Sequence, residues 1–140
     1  MRAVVCHELG EPDVLTFEDV PTPEPGPTEV LIEPQAYGLN FVDVLMVAGG
    51  YQLKPELPFV PGLEAAGIVR ALGGEVEGVK AGDRVIFGKR PGAFAEQVVA
   101  EGKTLLAMPD GMSFEQAACF RSAFSTALQP LKESLSLTPC

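Results

Sequence analysis

Short runs in which apolar and polar residues alternate, set apart by glycine and proline, fill most of the chain before Pro109. A period of two is the signature of half-buried strands. MRAVVC opens the chain as one strand, and VLTFEDV follows as a second after the turn HELGEPD. PTPEPGP, residues 21–27, is a stiff extended connector inside the domain rather than a ligand for a proline-binding module. TEVLIEPQAY is a third strand, with Val30 and Ile32 set against Glu29 and Leu31; Pro34 within it predicts an edge position or a bulge. AAGIVRA, VKAGDRVIFG, GAFAEQVVA and TLLAM supply four more, GAFAEQVVA being half-buried by its pattern.

Helical signals are fewer. Asn40 directly precedes FVDVLMV, where its side chain can cap a short helix. Asp43 falls three residues later, in a first turn where a carboxylate suits the helix dipole. Ser113 and Gln116 form an S-x-x-Q capping box at the start of SFEQAACF. Residues Arg121 to Leu137 look helical, with Pro130 expected to kink or end the helix. Seven strands, clustered first, and two or three short helices define a β-rich α+β chain: a barrel with helices packed at one side.

Composition narrows the picture. At 140 residues with 46% hydrophobic content, one domain with a sizeable core is expected, and 15 glycines with 13 prolines suit many short strands. The net charge of −9 argues against nucleic acid, which needs a basic surface. The acidic residues crowded into the first 33 positions read as a solvated face. No apolar run approaches the ~20 residues that span a bilayer, and the N-terminus lacks a signal-peptide pattern. Cys6, Cys119 and Cys140 imply neither a disulfide framework nor a metal spacing, and a reducing cytoplasm is the simplest setting. Cys119, inside AACF, reads as a buried small hydrophobe, and Met46 and Met108 as core. His7, the only histidine, lies at a turn and reads as exposed.

Chemistry concentrates between Gln35 and Ala71, where polar residues sit among glycines, prolines and apolar runs. Each candidate has two readings. Asn40 offers amide donors and a carbonyl acceptor, or is a helix cap alone. Tyr51, after Gly49-Gly50, offers a flat face with a hydroxyl tip, or is ordinary packing. Glu64, after the Pro61-Gly62 turn, reads as a buried carboxylate holding a basic neighbour. Thr126, in SAFSTAL, either faces a ligand or bonds back to its own helix.

In order and spacing, GLNFVD, then GGY, then PFVPGLEAAGIV resembles the catalytic-domain core of the zinc-independent (zeta-crystallin-like) quinone oxidoreductases of the medium-chain dehydrogenase/reductase superfamily. The AGDRV segment resembles the family too. The resemblance covers essentially the whole chain but less than half of a complete family member. It implies a GroES-like fold, incomplete without a C-terminal part: a catalytic-domain portion over 1–120, and over 121–140 a helix leading toward a nucleotide-binding domain that this chain lacks. LSLTPC resembles the segment just before that domain. The implied reaction is NADPH-dependent reduction of a quinone or enone-type small molecule in a cytoplasmic homo-oligomer. Asn40 would approach the nicotinamide ribose or substrate, Tyr51 would line the quinone pocket, and Thr126 would contact the nicotinamide end of the cofactor.

Zinc is not expected. Zinc-dependent members carry cysteine where this chain has Asn40 and a His-Glu pair where it has Leu63-Glu64, and leucine cannot ligate a metal. The four-cysteine lobe for structural zinc is missing as well. G-x-G-x-x-G is absent, Gly73, Gly74 and Gly78 being wrongly spaced, so NADPH would be held mostly by a domain outside this chain. The alternative from a different class is a non-enzymatic, truncated GroES-like domain that acts only by packing against partner chains.

Overall fold

A computed structural model describes residues 1–88 and 91–135. Its seven strands are β1 (Arg2–Cys6), β2 (Leu15–Asp19), β3 (Glu29–Gly38), β4 (Glu64–Leu72), β5 (Arg84–Gly88), β6 (Val98–Glu101) and β7 (Leu106–Ala107). Its helices are α1 (Phe41–Val47), α2 (Phe114–Ala118) and α3 (Phe120–Leu135). β1 and β2 form an antiparallel ribbon, and the other strands form one sheet in the order β6-β3-β4-β5-β7. Single bridges from Ala3 to Ala95 and from Cys6 to Phe59 tie the ribbon to loops beside the sheet. β6 and β7 remain as edges, so the barrel is partly open, as a GroES-like fold without its C-terminal part implies.

β3 keeps its alternation: Val30, Ile32 and Pro34 are buried while their neighbours are only partly so. Its register against β4 slips between Pro34 and Ala36, which is the bulge that a proline in a strand demands. β6 covers only Glu29 to Ile32 of β3, so Pro34, which has no N–H to offer, lies where the second ladder has ended. β4 is buried on both faces. Ala65 and Val69 join the main core with Val30, Ile32, Val85 and Phe87, whereas Ala66 packs with Ile86, Met108, Ala117 and Ala118 beneath α2. A third cluster, built on Cys6, Met46, Val47, Phe59 and Leu63, seats α1.

Three expectations change. GAFAEQVVA is strand only over Val98–Glu101, and Val98, Val99 and Ala100 are all buried, because this short edge strand is covered on both faces. Cys119 is exposed: α2 has a single turn, Ala117 and Ala118 take its inward face, and the next residue rotates outward. Helix α3 runs through Pro130 to Leu135. A proline there leaves one carbonyl, that of Thr126, without its helical N–H donor, a loss that costs less where the stretch is exposed. The expected features at residues 136–140, Cys140 and most of LSLTPC among them, lie outside the described residues. Among the described residues no helix is long and apolar enough to cross a membrane.

Candidate functional site

The site is built where the end of β3, the start of β4 and the first turn of α3 converge. Gly38 and Glu64 are register partners in the β3–β4 ladder. A Cβ on Gly38 would lie 2.7 Å from Cγ of Glu64, 2.8 Å from its Oε1 and 2.4 Å from the carbonyl oxygen of Ala118. Only glycine lets that carboxylate and the end of α2 close over the strand. Gly62, at φ 100°, turns the chain into Leu63 and Glu64.

Two residues beyond Gly38, Asn40 takes the N-cap of α1. Its backbone N–H donates to Oδ2 of Asp43 at 2.8 Å, and its side-chain Nδ2 donates to Oε1 of Glu64 at 3.1 Å. The other oxygen of Glu64, Oε2, accepts the backbone N–H of Ser122 at 2.8 Å, in the first turn of α3. Glu64 is 2% exposed. It is a buried carboxylate, as read from the sequence, but amide groups rather than a basic residue hold it; Arg121 instead donates to the carbonyl of Thr104 at 3.1 Å. A helix start suits that carboxylate because its N–H groups lack helical acceptors and carry the positive end of the dipole. Asp43 is also buried, and its Oδ1 has no partner. Burial pushes its carboxyl above the usual range, against the pull of the Asn40 and Gly62 N–H groups, and Glu64 nearby adds to the rise.

Two cavities adjoin along α3. One, ≈ 480 Å³, is lined by Glu64, Arg121, Ser122, Ser125, Thr126 and Gln129, with Leu63 and Gly88. The other, ≈ 420 Å³, is lined by Asn40 and Val42 together with Leu63, Ser122 and Thr126, which it shares with the first. Asn40 and Thr126, which lie in separate segments of the chain, thus face one groove. Tyr51 lines neither cavity: it packs, half-buried, against the cluster that contains Leu63. Ser122, Ser125 and Gln129 carry no signal of residue type, although with Thr126 their spacing of i, i+3, i+4 and i+7 marks one polar face of a helix. His7 is exposed and bonds Glu18 at 3.0 Å, outside this groove. Among the described residues no three His, Cys, Asp or Glu side chains gather to hold a metal ion.

Residues 26–110 match the model of the alcohol dehydrogenase GroES-like domain. The chain belongs to that family. It is 39% identical over 138 residues to quinone oxidoreductase-like protein 2 of Rattus norvegicus, covering 99% of this chain and 39% of that protein. The structure of the human synaptic vesicle membrane protein VAT-1 homolog-like protein superposes with a TM-score of 0.94 at 40% identity, over 98% of this chain and 44% of that one. Escherichia coli quinone oxidoreductase complexed with NADPH superposes with a TM-score of 0.92 at 32% identity, over 99% and 43% respectively. This GroES-like chain therefore spans about two fifths of the relatives it matches. Its neighbours include quinone oxidoreductases of the medium-chain dehydrogenase/reductase superfamily, and its partly open barrel is theirs.

Proposed function

We propose that this chain is the catalytic-domain portion, over 1–120, of an NADPH-dependent quinone or enone reductase, with 121–140 leading toward the nucleotide-binding part. The observation that carries the proposal is the groove that brings Asn40 and Thr126 together beside Glu64. Its lining suits the nicotinamide end of the cofactor: the hydroxyls of Ser122, Ser125 and Thr126 and the amide of Gln129 match a carboxamide and a ribose in hydrogen-bonding capacity. The groove has no glycine-rich phosphate turn, so the rest of the dinucleotide must find its contacts elsewhere. When bound, NADPH supplies a hydride.

Each residue then has a task. Thr126 and its neighbours on α3 hold the carboxamide end. Asn40 orients the ribose or the acceptor, and its amide is already fixed by Glu64. Tyr51 is assigned to the acceptor end, behind the wall that Leu63 forms. No residue is asked to deliver a proton, since reduced quinones take theirs from water. The proposal is zinc-free: at the two ligand positions Leu63 packs into an apolar cluster and the Asn40 amide is committed to a carboxylate. A cytoplasmic setting and self-association belong to the same proposal. Cys6 and Cys119 are free thiols, and Leu39 and Phe41 leave apolar surface for a second copy to cover.

The test is oxidation of NADPH by the full-length protein, this portion joined to the nucleotide-binding part, with a benzoquinone acceptor, followed optically. Saturable oxidation is expected, with Thr126→Val raising KM for NADPH. Asn40→Ala should lower kcat by up to ~100-fold, the scale of a 1 Å misplacement. Absence of both NADPH binding and turnover in that full-length protein refutes the proposal.

A further inference from the structure

Helix α3 stands off from the barrel over most of its described length. From Ala123 to Pro130 every residue is exposed, and Phe124 and Leu128 are 59% and 50% exposed. Two of its ties to the rest of the domain lie in the first turn. Ser122 donates its N–H to Glu64, and Arg121 donates to the carbonyl of Thr104. Among the described residues Glu64 forms no ion pair. Both of its oxygens are taken by amides from opposite walls of the groove, Asn40 on one side and Ser122 on the other.

We propose that Glu64 is a positioning residue: its single buried carboxylate sets the distance between the Asn40 wall and the α3 wall, and so aligns the ligand groups on both. Magnitudes favour this. Ser122 and Gln129 are seven residues apart, roughly 10 Å along the helix axis. A tilt of about 5° at the first turn would carry Gln129 about 1 Å sideways, enough to disturb alignment by up to ~100-fold. Little apolar packing from Ala123 to Pro130 opposes such a tilt, so the charge-assisted hydrogen bond at the helix start is a main part of the constraint. Gly38, which leaves room for Glu64, and Asp43, which holds the Asn40 backbone, complete the Asn40 side.

The consequence for cofactor binding rests on the proposed function, whereas the bracing itself does not. Two measurements on the full-length protein keep them apart, each with Glu64→Gln, which keeps one acceptor, and Glu64→Met, which keeps the volume and no acceptor. The first needs no ligand: amide exchange at Ser122 and the backbone chemical shifts at Thr126. Exchange at Ser122 should rise about tenfold or more in Glu64→Met and less in Glu64→Gln, as loss of a hydrogen bond to a charged group implies, with Thr126 shifted in the same order. Unchanged exchange and shifts in both variants overturn the bracing; should Glu64→Met not fold, Glu64→Gln decides.

The second is the dissociation constant for NADPH, taken at a temperature where circular dichroism shows each variant folded. It should rise about tenfold in Glu64→Met and by less in Glu64→Gln. Faster exchange with unaltered affinity overturns the positioning role and leaves Glu64 a structural brace. If the unsubstituted full-length protein takes up no NADPH, the proposed function fails, and the exchange and shift data alone judge Glu64.

Discussion

Strand β4 and helix α3 meet at Glu64, yet they are held in opposite ways. β4 is buried on both faces for most of its length and is paired along both edges, so its position is over-determined by packing and by two ladders. α3 exposes every residue from Ala123 to Pro130, and the polar ties of its first turn help to set its direction. The sheet therefore tolerates the loss of any one hydrogen bond better than the helix wall does. A rigid frame with one loosely tethered wall is also what a binding groove needs, since the low-stability element is the one free to adjust to a ligand.

The largest expected effect breaks the rigid half. Phe87→Ala removes a fully buried ring from the main core and should cost about 3–5 kcal/mol in chemical denaturation. A loss below about 1 kcal/mol would mean that the core is not packed as described. At the helical end the effects shrink. Ser113→Ala removes the side chain that accepts the Gln116 N–H at 3.3 Å and should cost about 1 kcal/mol.

A smaller, pH-dependent effect belongs to Asp43. Its carboxyl is raised in the fold, mainly by burial, so the folded chain binds its proton more tightly than the unfolded chain does. Its contribution to stability therefore falls as pH rises from the ordinary aspartate range through the raised value, and is restored on acidification. Asp43→Asn should flatten that part of the stability–pH curve, and an unchanged slope would show that Asp43 does not cause it. Glu18 and Glu33 work with the opposite sign: hydrogen bonds chiefly from His7 and Arg70 lower their carboxyls, and that support is lost as pH falls. Least of all should come from Leu128→Ser on the exposed flank of α3, within ~0.5 kcal/mol in the same denaturation assay. A clear loss there would show α3 to be packed rather than tethered.

Much of the frame is legible in the residues themselves. The alternation of Val30 and Ile32, the break at Pro34 and the Ser113–Gln116 box are local signals, and local chemistry is enough to produce a strand, a bulge and a helix start. Asn40 at a helix start is legible for the same reason. The groove-facing stripe of Ser122, Ser125, Thr126 and Gln129 is present in the spacing but carries no special residue type to draw attention to it.

Sequence alone determined where strands, turns and caps occur, because each depends on neighbours a few residues away. Tertiary structure alone decided what Glu64 touches: Asn40 is 24 positions away and Ser122 is 58. It also decided that Tyr51 packs beside the Leu63 cluster, that Cys119 faces outward, and that α3 continues past Pro130. Each of these depends on which surfaces close over one another and which stay in water. Burial of that kind is a property of the assembled chain, and no local pattern records it.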